Sequence, residues 1–124
     1  MIINSDESCF IISGVSGSIG GNLAQRLIGA GHHVIGVSRS SPTEALIERH
    51  PKLSWLVYDS SQTEADSNVV VKLNNLLSGK KLLGAYLCAG LYSSGMPADL
   101  SQQDYKISIE GNLYTTINMV KLVL

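Results

Sequence analysis

Short runs of apolar, β-branched residues alternate along this chain with stretches whose apolar positions recur every three or four residues. Cys9-Phe10-Ile11-Ile12-Ser13 is the first run, and it breaks into the glycine-rich segment Gly14–Gly20. Ile19, Leu23, Leu27 and Ile28 then fall at helical spacing, with Gly29 and Gly31 marking the stop. His33–Val37 reads as a second strand. Ser41 as cap, Pro42 at the first helical position and Glu44 three residues after the cap predict a short helix to about His50. Leu53–Tyr58 reads as a third strand. From about Glu64 to Leu77 the positions Val69, Val70, Leu73, Leu76 and Leu77 form a helical stripe. Leu82–Ala89 is apolar without alternation, which predicts a fourth strand covered on both faces. Ser101 with Asp104 opens a last helix through Ile109, Leu113, Ile117, Val120 and Leu124. Strands alternating with helices predict an α/β fold: a doubly wound parallel sheet with right-handed crossovers and strand order 3-2-1-4.

Composition narrows the class. The 124 residues suit one domain spanning 1–124, and 44% hydrophobic content excludes a disordered segment. Nine Lys and Arg against ten Asp and Glu leave a net charge of -1, with no basic stripe to neutralise nucleic-acid phosphates. Aromatic residues, at 6%, are too few for base-stacking platforms. No apolar stretch approaches the roughly eighteen residues of a membrane span, and Met1–Glu7 lacks the basic region of a signal peptide. The expectation is a soluble, cytoplasmic domain with neither nucleic-acid nor membrane partners. Cys9 and Cys88 are too few for a disulfide framework and read as small buried hydrophobes. The adjacent His32 and His33 read as a solvated turn, and no metal site is expected.

The first strand runs directly into Gly14-x-x-Gly17-x-x-Gly20 and then a helix, the arrangement that binds dinucleotides. The first glycine permits the tight turn, the next admits a pyrophosphate against the backbone, and the last lets helix and strand pack closely. Free N–H groups and the positive end of the helix then face the phosphates. The end of the second strand selects the cofactor. A carboxylate there would hold a ribose 2′-hydroxyl, but the residues are Ser38-Arg39-Ser40, and no Asp or Glu intervenes before Glu44. The same absence weighs against an S-adenosylmethionine site. Arg39 suits a 2′-phosphate, with Ser16 supplying a further hydroxyl, so NADP(H) is expected over NAD(H).

These residues resemble the short-chain dehydrogenase/reductase family. Ser13–Gly20 is similar to its cofactor loop, and Ser18 at the middle glycine brings the spacing nearer the extended and atypical branches. Tyr58-Asp59-Ser60 resembles the site whose Asp holds the adenine amino group. Cys88-Ala89-Gly90 is similar to the family's Asn-Asn-Ala-Gly, with Cys in place of the second Asn. Gly111-Asn112-Leu113 resembles the pair whose Asn anchors the proton-relay water. The resemblance therefore implies a Rossmann-type fold with cofactor contacts from Gly14, Ser16, Gly17, Ser18, Ile19, Gly20, Ser38, Arg39, Asp59, Ser60, Cys88, Ala89 and Gly90. It implies that Asn112 belongs to the catalytic set. Without the resemblance, the alternative readings are Asp59 as a cap, Ala89-Gly90 as a strand end, and Asn112 as a mark of a helix bend.

The family's chemistry uses Ser, Tyr and Lys, the last two spaced Tyr-x-x-x-Lys. Five tyrosines occur here and none has Lys four residues later; Tyr114 has Asn118. The resemblance thus implies the amino-terminal half of an oxidoreductase passing a hydride between a nicotinamide and a carbonyl or alcohol substrate, truncated after the fourth strand and its helix. A non-catalytic NADP(H)-binding or sensing module and an extended-type sugar-nucleotide epimerase or dehydratase are the alternatives. An apolar fourth strand at a bare sheet edge predicts a homo-oligomer. Leu91–Leu100, with Gly95, Met96 and Pro97, reads as an exposed connection, with flanking of a substrate cleft as the alternative.

Overall fold

The structure is a computed structural model that describes residues 7–91 and 96–124; Gly95, named above, lies outside them. Four strands, β1 (Ser8–Ser13), β2 (His33–Ser38), β3 (Leu53–Val57) and β4 (Lys81–Leu87), form one parallel sheet in the order β3-β2-β1-β4. Helices α1 (Ser18–Gly29), α2 (Glu44–Arg49) and α3 (Ser67–Leu77) connect them. After β4 come a short 3-10 turn (Pro97–Asp99), α4 (Gln102–Ile109), a π-helical segment (Glu110–Tyr114) and α5 (Thr115–Val123). The predicted fold class and strand order are those observed.

Alternation along the strands supplies two cores. Cys9 and Ile11 of β1, Ile35 and Val37 of β2 and Leu56 of β3 face one side, where Leu73 of α3 and Met119 of α5 cover them. Ile12, Val34 and Leu53 face the other, with Ala24 of α1 and Leu46 and Ile47 of α2. Successive side chains point to opposite faces of a strand, so both faces of β1 and β2 are covered and their centres, Cys9–Ile12 and Val34–Val37, are apolar. Cys9 is fully buried, which pushes its thiol pKa up. Cys88 is half-buried at the margin of the second core. Among the described residues no helix is long and apolar enough to cross a membrane.

Five local expectations change. β4 is not covered on both faces: Lys81, Leu83, Ala85 and Tyr86 are exposed. It is an edge strand among the described residues, and only Leu82 and Leu87 pack into the first core. Helix α2 starts later than Ser41 and Pro42 predict. Thr43 caps it instead, its Oγ1 accepting from the Leu46 N–H at 3.3 Å, with Glu44 against the positive helix end. Helix α3 starts at Ser67 because Asp66, not a residue near Glu64, accepts from the Val69 N–H at 2.9 Å. The last helix is interrupted by the π-helical turn. His32 is half-buried rather than solvated: its Nδ1 meets the Ser8 hydroxyl, and its ring stands edge-on to Phe10 at 5.1 Å. The capping box between Ser101 and Asp104 is present as read, and its hydrogen bonds hold the Asp104 carboxyl below its usual value.

Two glycines make opposite demands. A Cβ on Gly36, in the middle of β2, would lie 2.6 Å from Cγ1 of the buried Val15, while one on Gly29 at the end of α1 would meet nothing within 4 Å. Gly36→Ala is expected to lower unfolding free energy by about 1–3 kcal/mol through overpacking. Gly29→Ala is expected to raise it by up to about 1 kcal/mol. Urea denaturation of both variants checks the contrast; equal effects would contradict this packing.

Candidate functional site

Parallel strands deliver their carboxyl ends to one edge of the sheet, and the order reverses at β1, with β2 on one side and β4 on the other. Crevices at such reversals are where open α/β sheets bind ligands. Here the crevice is a groove of about 190 Å³ lined from four segments, the ends of β1, β2, β3 and β4, with Gly111 and Thr115 closing its far side. Ligand pockets generally measure roughly 300–1,000 Å³, so a dinucleotide in this groove is only partly enclosed by the described residues.

The turn after β1 forms the first wall. Gly14 has φ +69°, and its N–H donates to the Val37 carbonyl at 3.1 Å. A Cβ on Gly14 would stand 2.6 Å from the Ala89 nitrogen, and one on Gly20 would stand 2.4 Å from the Gly14 oxygen. Any side chain at either position would therefore separate β1 from β4 or α1 from the turn. Gly17 donates to the Gly14 carbonyl at 3.0 Å and caps α1, whose first intrahelical bond runs from Gly21 to Gly17. The N–H groups of Ser18, Ile19 and Gly20 precede that bond, and neither a side-chain cap nor an acidic residue occupies the first turn. Bare backbone and an uncompensated positive helix end are what an anionic diphosphate requires, so these residues fit a dinucleotide.

The second wall is the end of β2. Ser38 is buried, its hydroxyl 3.2 Å from the Ser16 hydroxyl and 3.3 Å from that of Ser40. Arg39 is exposed and lines the groove. The third wall follows β3. Asp59 Oδ1 accepts from the Ser61 N–H at 3.0 Å and its hydroxyl at 2.6 Å, so one carboxylate oxygen is taken by the local turn. Ser60 is buried, its hydroxyl bonded to that of Thr115 and its carbonyl accepting from Asn118 Nδ2 at 2.8 Å. Tyr58 donates to the Thr63 carbonyl at 2.6 Å. Burial first, then the carboxylates of Glu64, Asp59 and Asp66, push its phenol above the ordinary value. Cys88, Ala89, Gly90 and Leu91 form the fourth wall.

Asn112 stands behind that wall. Its Oδ1 accepts from the Leu91 N–H at 3.0 Å, and its Nδ2 donates to the Leu91 carbonyl at 2.9 Å and the Ser108 carbonyl at 2.8 Å. The Ser108 carbonyl is the acceptor an α-helical N–H at 112 would use, so this side-chain bond accompanies the widening of the helix into a π turn. The amide thereby pairs with the extended chain beyond β4 as a neighbouring strand would.

Of the residues singled out from sequence, Gly14, Ser16, Gly17, Ser38, Arg39, Asp59, Ser60, Cys88, Ala89 and Gly90 line one groove. Ser18, Ile19 and Gly20 do not; they form the start of α1, with the Ile19 side chain 75% exposed. Asn112 does not line it either. Thr115 and Ser61 line it without having been singled out. A signal for Thr115 exists: Gly111, Thr115 and Asn118 are small or polar positions at near-helical spacing inside an apolar stripe.

A family model described as short chain dehydrogenase matches residues 8–124. No curated protein matches the chain. Among solved structures, a short-chain dehydrogenase/reductase from Burkholderia vietnamiensis aligns over 97% of this chain and 57% of its own, with 21% identity and a TM-score of 0.76. A short chain dehydrogenase from Leptospira borgpetersenii with bound NAD+ aligns over 98% and 48%, with 20% identity and a TM-score of 0.77. A 3-oxoacyl (acyl-carrier-protein) reductase from Agrobacterium tumefaciens with NADP bound aligns over 97% and 47%, with 22% identity and a TM-score of 0.77. At these identities the likeness establishes the fold, and the chain spans about half the length of these structures.

Two outcomes follow from the geometry. Asn112→Ala should speed amide hydrogen exchange at Leu91 more than in the centre of β1; unchanged exchange there would contradict the clamp. Because the folded Tyr58 binds its proton more tightly than the unfolded one, its contribution is complete below pH 10.0 and lost as pH rises through the higher folded value. Urea midpoints should therefore fall less on raising the pH past 10.0 in Tyr58→Phe than in the parent chain.

Proposed function

Since the chain belongs to the short-chain dehydrogenase family, we propose that it is the cofactor-binding domain, over residues 1–124, of an NADP(H)-dependent oxidoreductase acting on a carbonyl or alcohol. The observation that carries the cofactor choice is the end of β2. An exposed guanidinium at Arg39 stands on the groove rim beside the Ser16, Ser38 and Ser40 hydroxyls, and Ser38–Thr43 holds no carboxylate. A 2′-phosphate there meets a planar fork of donors, whereas a bare ribose meets no carboxylate to accept its hydroxyl proton.

In this reading the N–H groups of Ser18, Ile19 and Gly20 hold the pyrophosphate over Gly14 and Gly17. Asp59 Oδ2, which has no hydrogen bond among the described residues, accepts from the adenine amino group, and buried Ser60 fixes the loop that carries it. Cys88, Ala89 and Gly90 bring bare backbone against the cofactor. Bound there, the nicotinamide supplies or accepts the hydride. Asn112 takes a positioning role beside the proton relay, because its amide is committed to Leu91 and Ser108. In this reading the protein is cytoplasmic and forms a homo-oligomer.

Calorimetric titration with NADPH and then NADH tests the assignment. The expected result is selective NADPH binding that Arg39→Ala weakens by about 2 kcal/mol, roughly thirtyfold, with NADH nearly unchanged. Equal losses for both cofactors would overturn the NADP(H) assignment, and binding of neither would overturn the site.

A further inference from the structure

Arginine carries roughly 2 kcal/mol of side-chain rotamer freedom, so a phosphate contact made from a mobile loop loses much of its benefit to ordering. The residues flanking Arg39 are not free to move. On one side, buried Ser38 ends β2, and its carbonyl accepts from the Tyr58 N–H at 2.9 Å. On the other, Ser40 is held at three points. Its N–H and its hydroxyl each reach the Ser38 hydroxyl at 3.3 Å, and its carbonyl accepts from the indole Nε1 of Trp55 at 2.9 Å. Trp55 is the chain's one tryptophan, and it lies fifteen residues away on β3, half-buried in the core that α2 covers. The indole N–H takes the carbonyl immediately after the groove's cationic residue.

We infer that Trp55 is a positioning residue for cofactor selection: through the Ser40 carbonyl it fixes the backbone of Arg39 so that the guanidinium meets a 2′-phosphate pre-organised. This inference rests on the NADP(H) reading given above. It ties the preference between two cofactors to a side chain that lines no part of the groove. The bond crosses from a rigid strand to an exposed turn, so losing it loosens the turn and leaves the sheet intact.

Trp55→Phe keeps an aromatic ring in the core and removes the N–H. The expected result is NADPH binding weakened about fivefold, the worth of one ordinary hydrogen bond, with NADH within about twofold of the parent. In an Arg39→Ala background the same substitution should have no further effect on NADPH, because two residues acting through one contact are not additive. Incorporating β-(3-benzothienyl)alanine at position 55, which keeps the fused bicyclic ring and replaces the N–H by sulfur, should show the same selective loss. It decides the matter if Trp55→Phe proves poorly folded by thermal melting. Equal weakening of NADPH and NADH, no weakening, or simple additivity with Arg39→Ala would each overturn the inference. If Arg39→Ala itself spares NADPH, the cofactor reading fails and this inference with it, an outcome visible before Trp55 is altered.

Discussion

One close approach of backbone to backbone governs the rest. At Gly14 the chain leaves β1 with a positive φ, bonds to the end of β2 and touches the backbone of Ala89 beyond β4. Only a residue without a Cβ satisfies all three. The contact sets how near the ends of β1, β2 and β4 come to one another, and Gly20 sets α1 against the same turn. A groove with a backbone floor results directly from that spacing. The proposed cofactor's negative charge would meet N–H groups, which need no side-chain ordering to serve.

Polar side chains then brace the groove from behind. Asn112 holds Leu91, Thr115 and Asn118 hold Ser60, and Trp55 holds Ser40. Each brace runs from a regular element to an irregular segment, and each ends mainly on backbone atoms. Loops that carry function are generally the least stable part of a fold. Here three of the four walls borrow rigidity from a neighbouring strand or helix.

Strand order and the glycine turn were legible because both are written in local pattern: β-branched runs for the doubly buried β1 and β2, and a glycine triplet between strand and helix. Most of the groove followed, since parallel strands put the segments after β1, β2, β3 and β4 at one edge. What was not legible depends on contacts remote in sequence. The exposure of β4 could not be read from its apolar run, because apolarity does not reveal which neighbours are present. The π turn could not be read from Gly111, since it accompanies bonds from Asn112 to Leu91, twenty-one residues earlier. His32 looked solvated until Phe10 and Ser8 closed on it. The start of α2 was misplaced because Ser41 and Thr43 offer the same hydroxyl two residues apart.

The π turn has one more consequence, for which changes in length the chain tolerates. Each residue added to a helix rotates everything after it by about 100°. Downstream of Glu110–Tyr114, Thr115 faces Ser60, Asn118 reaches the Ser60 carbonyl and Met119 is fully buried in the first core. Deleting one residue to restore an ordinary α-helix would turn all three off their partners at once. Most helices absorb insertions and deletions at their ends; this one carries an indexing notch in its middle, where residue count matters as much as residue type.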